Sequence, residues 1–73
     1  MDRQEDALRE FGRRIGQLRE QRGIGIGDLA SRAGLDPREL AAIEAGHQDI
    51  PITTIFRLAE GLGVSPAELL GPP

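Results

Sequence analysis

Cysteine is absent from the chain, which excludes disulfide staples, thiolate nucleophiles and cysteine-based metal sites. A reducing compartment fits that absence. Lysine is absent as well: all nine basic residues are arginine. Beside abundant alanine and glycine, this reads as genomic composition rather than a functional device. The GxGxG of "GIGIG" at 23–27 therefore has no P-loop lysine after it, and no strand precedes it, so it is not a nucleotide cradle. No apolar run approaches the roughly 20 residues that span a bilayer, and the charged start "MDRQEDALRE" lacks the form of a secretory leader. There is no histidine-rich or acidic cluster with ligand spacing, and no nucleophile beside a base. Neither a metal, a cofactor nor an enzymatic activity is expected.

What is present fits one small domain over residues 1–73. A chain of this length buries only about 60% of its unfolded surface, so its core must be economical. Net charge is −3, unevenly spread. Residues 1–22 carry +1, residues 23–50 carry −3 and residues 51–73 carry −1. An acidic balance argues mildly against a nucleic-acid partner, because phosphate neutralisation supplies most non-specific affinity.

Helical period dominates and strand alternation is nearly missing. Leu8, Phe11, Ile15 and Leu18 make one apolar stripe on a first helix, over about 5–22, with acids at 2, 5 and 6 near its positive end and Gly23 after it. Leu29, Ala30 and Ala33 face inward on a second helix, 26–33, stopped by Gly34. A third, 37–45, has Asp36 as cap, Pro37 first and Glu39 completing an acidic capping box, with Leu35 and Leu40 at staple spacing and Gly46 as stop. Ile52, Ile55, Leu58, Ala59 and Leu62 build a fourth, 52–62. "SPAE" caps a fifth, 66–70, in which Val64 and Leu69 staple and Leu70 packs inward. The expected fold is all-α, a compact five-helix bundle. Helices two and three, joined only by "GLD", have the short corner of a helix-turn-helix.

The residues "IGQLREQRGI", "DLASRAGLDPRELAAIEAG" and "RLAEGLGVSPAELL" together resemble the Cro/repressor (XRE) family of lambda-repressor-like helix-turn-helix regulators, from about Phe11 to Leu70. The resemblance implies a bacterial, cytoplasmic DNA-binding regulator, associated with the nucleoid when bound. Its third helix would lie in the major groove of duplex DNA. The resemblance also implies a structural ion pair between Arg19 and Glu44, and base contacts from Pro37, Arg38 and Ala42. Arg38 suits a bidentate contact with guanine, and Ala42 a thymine methyl. Arg38 has a plainer alternative, pairing with Asp36 at the helix start.

The match is imperfect at helix two. Where the family commonly has Ser or Thr followed by a phosphate-binding Gln, this chain has Gly25 and Ile26. The free amides at Ile26 and Gly27 remain as a phosphate site. Arg13, Arg14, Arg22, Arg32, His47 and Gln48 are the other candidates for backbone contact.

The family's habit of binding palindromic operators as a symmetric dimer implies a homodimer. Ile50, Ile52, Phe56 and Leu70 are the candidate interface, with Phe56 alternatively completing the core. "GPP" at 71–73 suits the start of a linker to a further, C-terminal domain. A competing reading makes the chain a protein-interaction module that uses an exposed Ile26 and the alanine face of helix three.

Overall fold

A computed structural model describes residues 3–71. Asp2 and the two prolines of the C-terminal tail, both used in the sequence reading, lie outside the described residues. Five helices run in order: α1 (Arg3–Gln21), α2 (Ile26–Ala33), α3 (Pro37–Glu44), α4 (Ile52–Leu62) and α5 (Pro66–Leu70). The described residues contain no strand. The helices close a ring in which α1 packs on α3, α3 on α2, α2 on α4, α4 on α5, and α5 back on α1. Ile15, Leu29, Leu40, Ile43, Leu58 and Leu69 meet inside that ring with no accessible surface.

Start and stop chemistry sets the short helices. The Asp36 carboxylate accepts the backbone N–H of Arg38 at 2.8 Å, and Pro37 supplies the fixed φ of a first helical residue. The reciprocal half of the capping box does not form. Glu39 instead accepts from Gln48 Nε2 at 3.5 Å. At the far end Gly46 has φ +76°, and its N–H and that of His47 close back on Ile43 O and Ala42 O, both at 3.0 Å. A residue with a Cβ would be strained there twice over, because that Cβ would also lie 2.7 Å from Arg9 Cα.

Helix α1 reaches α3 through glycine. Gly12 and Gly16 are buried on the face that carries Ile15. A Cβ on Gly12 would lie 2.2 Å from Ile43 O and 2.7 Å from Glu44 O. The α1 backbone therefore rides directly on the last turn of α3. The sequence carried this signal as the G-x-x-x-G of "GRRIG", one turn apart on one face, and the reading by apolar stripe passed over it.

Three expected orientations are corrected. Ile52 is 68% exposed, and the buried α4 face is Thr54, Leu58, Ala59, Gly61 and Leu62. Ile52 precedes Leu58 by six residues, about 600° of helical rotation, which turns it roughly 120° away from the core. In α5, Leu69 is the buried residue and Leu70 is 66% exposed, since adjacent helical positions diverge by about 100°. Ile26, expected to be exposed, is half-buried and packs against the core cluster. Phe56 is 55% exposed, so it does not complete the core.

Candidate nucleic-acid interface

Gly34, Leu35 and Asp36 form the corner between α2 and α3. Gly34 takes φ +69°, and the N–H of Leu35 closes on Ala30 O at 2.8 Å. The corner seats the buried Leu40 and Ile43 of α3 beside Leu29, Ala30 and Ala33 of α2. With its inner side taken by α1 and α2, α3 presents Pro37, Arg38, Ala41 and Ala45 to solvent, while Ala42 and Glu39 are half-buried.

The orientation of α3 is held from its other end by an ion pair. Arg19 Nε and Nη2 donate to Glu44 Oε2 and Oε1 at 2.8 and 3.1 Å, and Arg19 Nη1 donates to Ile24 O at 3.1 Å. The two side chains are 17% and 15% exposed. Hydrogen bonding to Glu44 raises the Arg19 pKa above its already high ordinary value, so the guanidinium is always charged. One guanidinium thus joins α1, the α1–α2 loop and the end of α3. Gly16 makes room for it: a Cβ at that position would stand 3.1 Å from Glu44 Oε1.

With this geometry in view, comparison with known proteins identifies the unit. The family model described as a helix-turn-helix domain matches residues 10–70. The chain belongs to the helix-turn-helix domain family. An uncharacterized HTH-type transcriptional regulator of Sinorhizobium fredii, y4dJ, is 30% identical over 67 residues, covering 92% of this chain and 87% of its own. The crystal structure of the restriction-modification controller protein C.AhdI from Aeromonas hydrophila superposes with a TM-score of 0.84 at 34% identity, covering 85% of this chain and 94% of that one. That of a hypothetical transcription factor, NHTF, from Neisseria gives 0.86 at 27%, covering all of this chain and 84% of its own. The similarity is to regulators of the Cro/repressor type, and this chain has the DNA-binding fold of that class.

Within this helix-turn-helix domain the candidate cations separate by what already holds them. Arg14 Nε donates to Glu68 O at 2.6 Å, so Arg14 stands between α1 and α5. Arg32 Nη1 donates to Gly61 O at 3.2 Å, bridging α2 and α4. Arg13 is paired with Glu10, whose carboxyl it holds below the ordinary value by hydrogen bonding, with the charges of Arg13 and Arg14 adding to the effect. Among the described residues, Arg3, Arg22, Arg38 and Arg57 have no bonded side-chain partner. Asp36 takes the backbone N–H of Arg38 and leaves its guanidinium free.

The remaining candidates fall at the edges of α2 and α3. Gly25 gives α2 no side-chain cap, which leaves the amides at Ile26 and Gly27 without a carboxylate or hydroxyl of their own. Gly27 has nothing within 4 Å of a notional Cβ. His47 is exposed and Gln48 half-buried just beyond α3. The Arg14 and Arg32 ties were not legible in the sequence, since both acceptors are backbone carbonyls far along the chain.

On the opposite side of the bundle Ile52, Phe56 and Leu70 are exposed. Ile50 is half-buried and lines an open apolar groove of about 530 Å³ with Leu8, Phe11, Ile55 and Leu70, and Arg14 stands at its edge. Arg14 therefore sits with the dimer candidates rather than with α3. No described helix is long and apolar enough to cross a membrane.

Proposed function

We propose that the chain is a sequence-specific duplex-DNA-binding transcriptional regulator that inserts α3 into the major groove and acts without catalysis. The observation that carries this reading is Arg38: exposed, free of any side-chain partner, and standing on a helix whose orientation two buried leucine-sized residues and an ion pair fix. Arg38 is the principal base reader. Pro37 and Ala42 contribute close approach, and Ala41 and Ala45 keep bulk away from the groove. Arg22, the Arg32 donors that Gly61 O leaves free, the open start of α2 at Ile26 and Gly27, and His47 meet the phosphates, with Gln48 beside them against Glu39. Ile52, Phe56 and Leu70, with Ile50 behind them, join two copies on a palindromic operator. The working compartment is the bacterial cytoplasm, at the nucleoid.

The competing reading as a protein-interaction module loses one of its supports, because Ile26 packs against the core. Titration of genomic duplex fragments at several salt concentrations separates the two. With Arg22 and Arg32 from each of two protomers on phosphate, log K against log salt should fall with a slope of about −3 to −4. Arg38→Ala should relax specificity at one base pair by about 1–3 kcal/mol. Absence of salt-dependent binding to any fragment, with Arg38→Ala silent, would sink the DNA reading. Sedimentation of wild type against Phe56→Glu tests the dimer: a monomeric wild type rejects it.

A further inference from the structure

The start of α3 is unlike an anion-binding helix start. Pro37 has no N–H, and the Asp36 carboxylate already accepts the N–H of Arg38 at 2.8 Å. Two of the donors that would draw a phosphate oxygen are therefore gone. The next residue, Glu39, adds a full negative charge directly beside Arg38. Its Oε2 accepts from Gln48 Nε2 at 3.5 Å, a loose tether from the loop after α3, and its Oε1 accepts from no described residue. Glu39 is half-buried against that loop, and the rest of the outward face is Ala41, Ala42 and Ala45, none of which reaches past its carboxylate in length.

We propose that Glu39 is a specificity-determining residue, accepting the N4 amino group of a cytosine in the major groove through Oε1, and that Gln48 is its positioning residue. This rests on the DNA reading above and deepens it. A carboxylate accepts hydrogen bonds and donates none. Guanine and thymine turn acceptors toward it, and adenine sets its N7 acceptor beside its N6 donor; cytosine presents a donor alone. Guanine and thymine at that position meet repulsion rather than a mere lost contact, and adenine offers its donor only beside an acceptor, so Glu39 discriminates largely by exclusion. Arg38 attracts and Glu39 rejects, which is how two adjacent side chains define a half-site that the alanines cannot.

Selection from a random duplex pool, followed by affinities on the selected duplex and its single-base variants, tests this for wild type, Glu39→Gln, Glu39→Ala and Gln48→Ala. Wild type is expected to fix one cytosine and to discriminate against its replacements by roughly 5- to 150-fold, whereas Glu39→Ala brings all four bases within about threefold and Glu39→Gln moves the preference toward adenine, whose N6 and N7 an amide can pair. Binding of the substituted duplexes rises in Glu39→Gln and Glu39→Ala alike. Gln48→Ala lowers the discrimination without changing the melting temperature. If both Glu39 variants select the wild-type motif with unchanged penalties, the assignment to Glu39 is overturned while the DNA reading stands. If wild type enriches no sequence at all, the DNA reading itself fails and takes this assignment with it.

Discussion

Removing the Glu44 charge tests how α3 is held. Glu44→Gln keeps the shape of the side chain that Gly16 accommodates and leaves Arg19 charged, with its side chain 17% exposed and two of its bonds weakened. Breaking one side of a buried pair costs about 3–5 kcal/mol, and residual exposure at both partners places this one near the lower end, at about 3 kcal/mol. Stability for 73 residues is of order 4–11 kcal/mol, so such a loss is a large fraction of the whole. In a domain of this size it lowers the melting temperature by roughly 12–24 °C. Arg19→Met should cost somewhat less, since Glu44 can relax toward water, and Arg19→Met with Glu44→Gln should cost clearly less than the sum of the two single changes. The chain has no tryptophan or tyrosine, so urea unfolding is followed by far-UV circular dichroism. A coupling energy below about 0.5 kcal/mol in that double-mutant cycle refutes the reasoning, for it would place the pair with ordinary surface ion pairs.

Glycine positions divide by their surroundings. Gly12→Ala drives a Cβ into the carbonyls of Ile43 and Glu44 and should destabilise by about 1–3 kcal/mol despite the gain in helix propensity, while Gly27→Ala, with open space around it, should gain up to about 1 kcal/mol; urea midpoints rank the two. Leu69→Ala should cost about 2–5 kcal/mol, and Leu70→Ala should stay within about 0.5 kcal/mol, by the same measurement. The Glu10 carboxyl is held below its ordinary value by Arg13, so its contribution is complete above the unfolded carboxylate value and disappears as pH falls through the lower folded one. Melting temperatures of wild type and Glu10→Gln should therefore separate slightly above about pH 5 and converge in strong acid.

The parts of this fold that the sequence made legible are those decided within one helical turn. Asp36 and Pro37 announce a helix start and Gly34 and Gly46 a stop because capping and positive φ are local matters. Leu40 and Ile43 announce an inward face because spacing of 3 to 4 repeats at 3.6 residues per turn. The misreadings occur where local information runs out. Ile52 and Leu70 are apolar residues at the ends of short helices, where an apolar residue fits either a core or an interface, and only the placement of α4 and α5 against their neighbours decides. Gly12 and Gly16 have no side chain to enter an apolar pattern, although their spacing was visible. At the candidate interface, the free guanidinium of Arg38 could not be told from that of Arg14 or Arg32 by sequence, because Glu68 O and Gly61 O come near only in the folded ring.

The bareness of α3 follows from what so small a domain demands of an eight-residue helix. Leu40 and Ile43 fill the core, Glu44 holds the ion pair, and Pro37 sets the start, leaving four positions: Arg38, Glu39, Ala41 and Ala42. Two of these are alanine, which is the best helix former and lets a groove wall approach the backbone closely. The polar chemistry of the face is thereby concentrated in Arg38 and Glu39, two residues that take no part in the buried cluster. Substitution at the exposed Arg38 should alter recognition at almost no stability cost, within about 0.5 kcal/mol, and at the half-buried Glu39 at little more than the loss of its loose bond from Gln48. Substitution at Leu40 or Ile43 should unfold the domain before its recognition could be measured. On the proposed DNA reading, stability and recognition then rest on different side chains of one short helix, and exchanging Arg38 or Glu39 is expected to rewrite specificity in a selection experiment while leaving the fold in place.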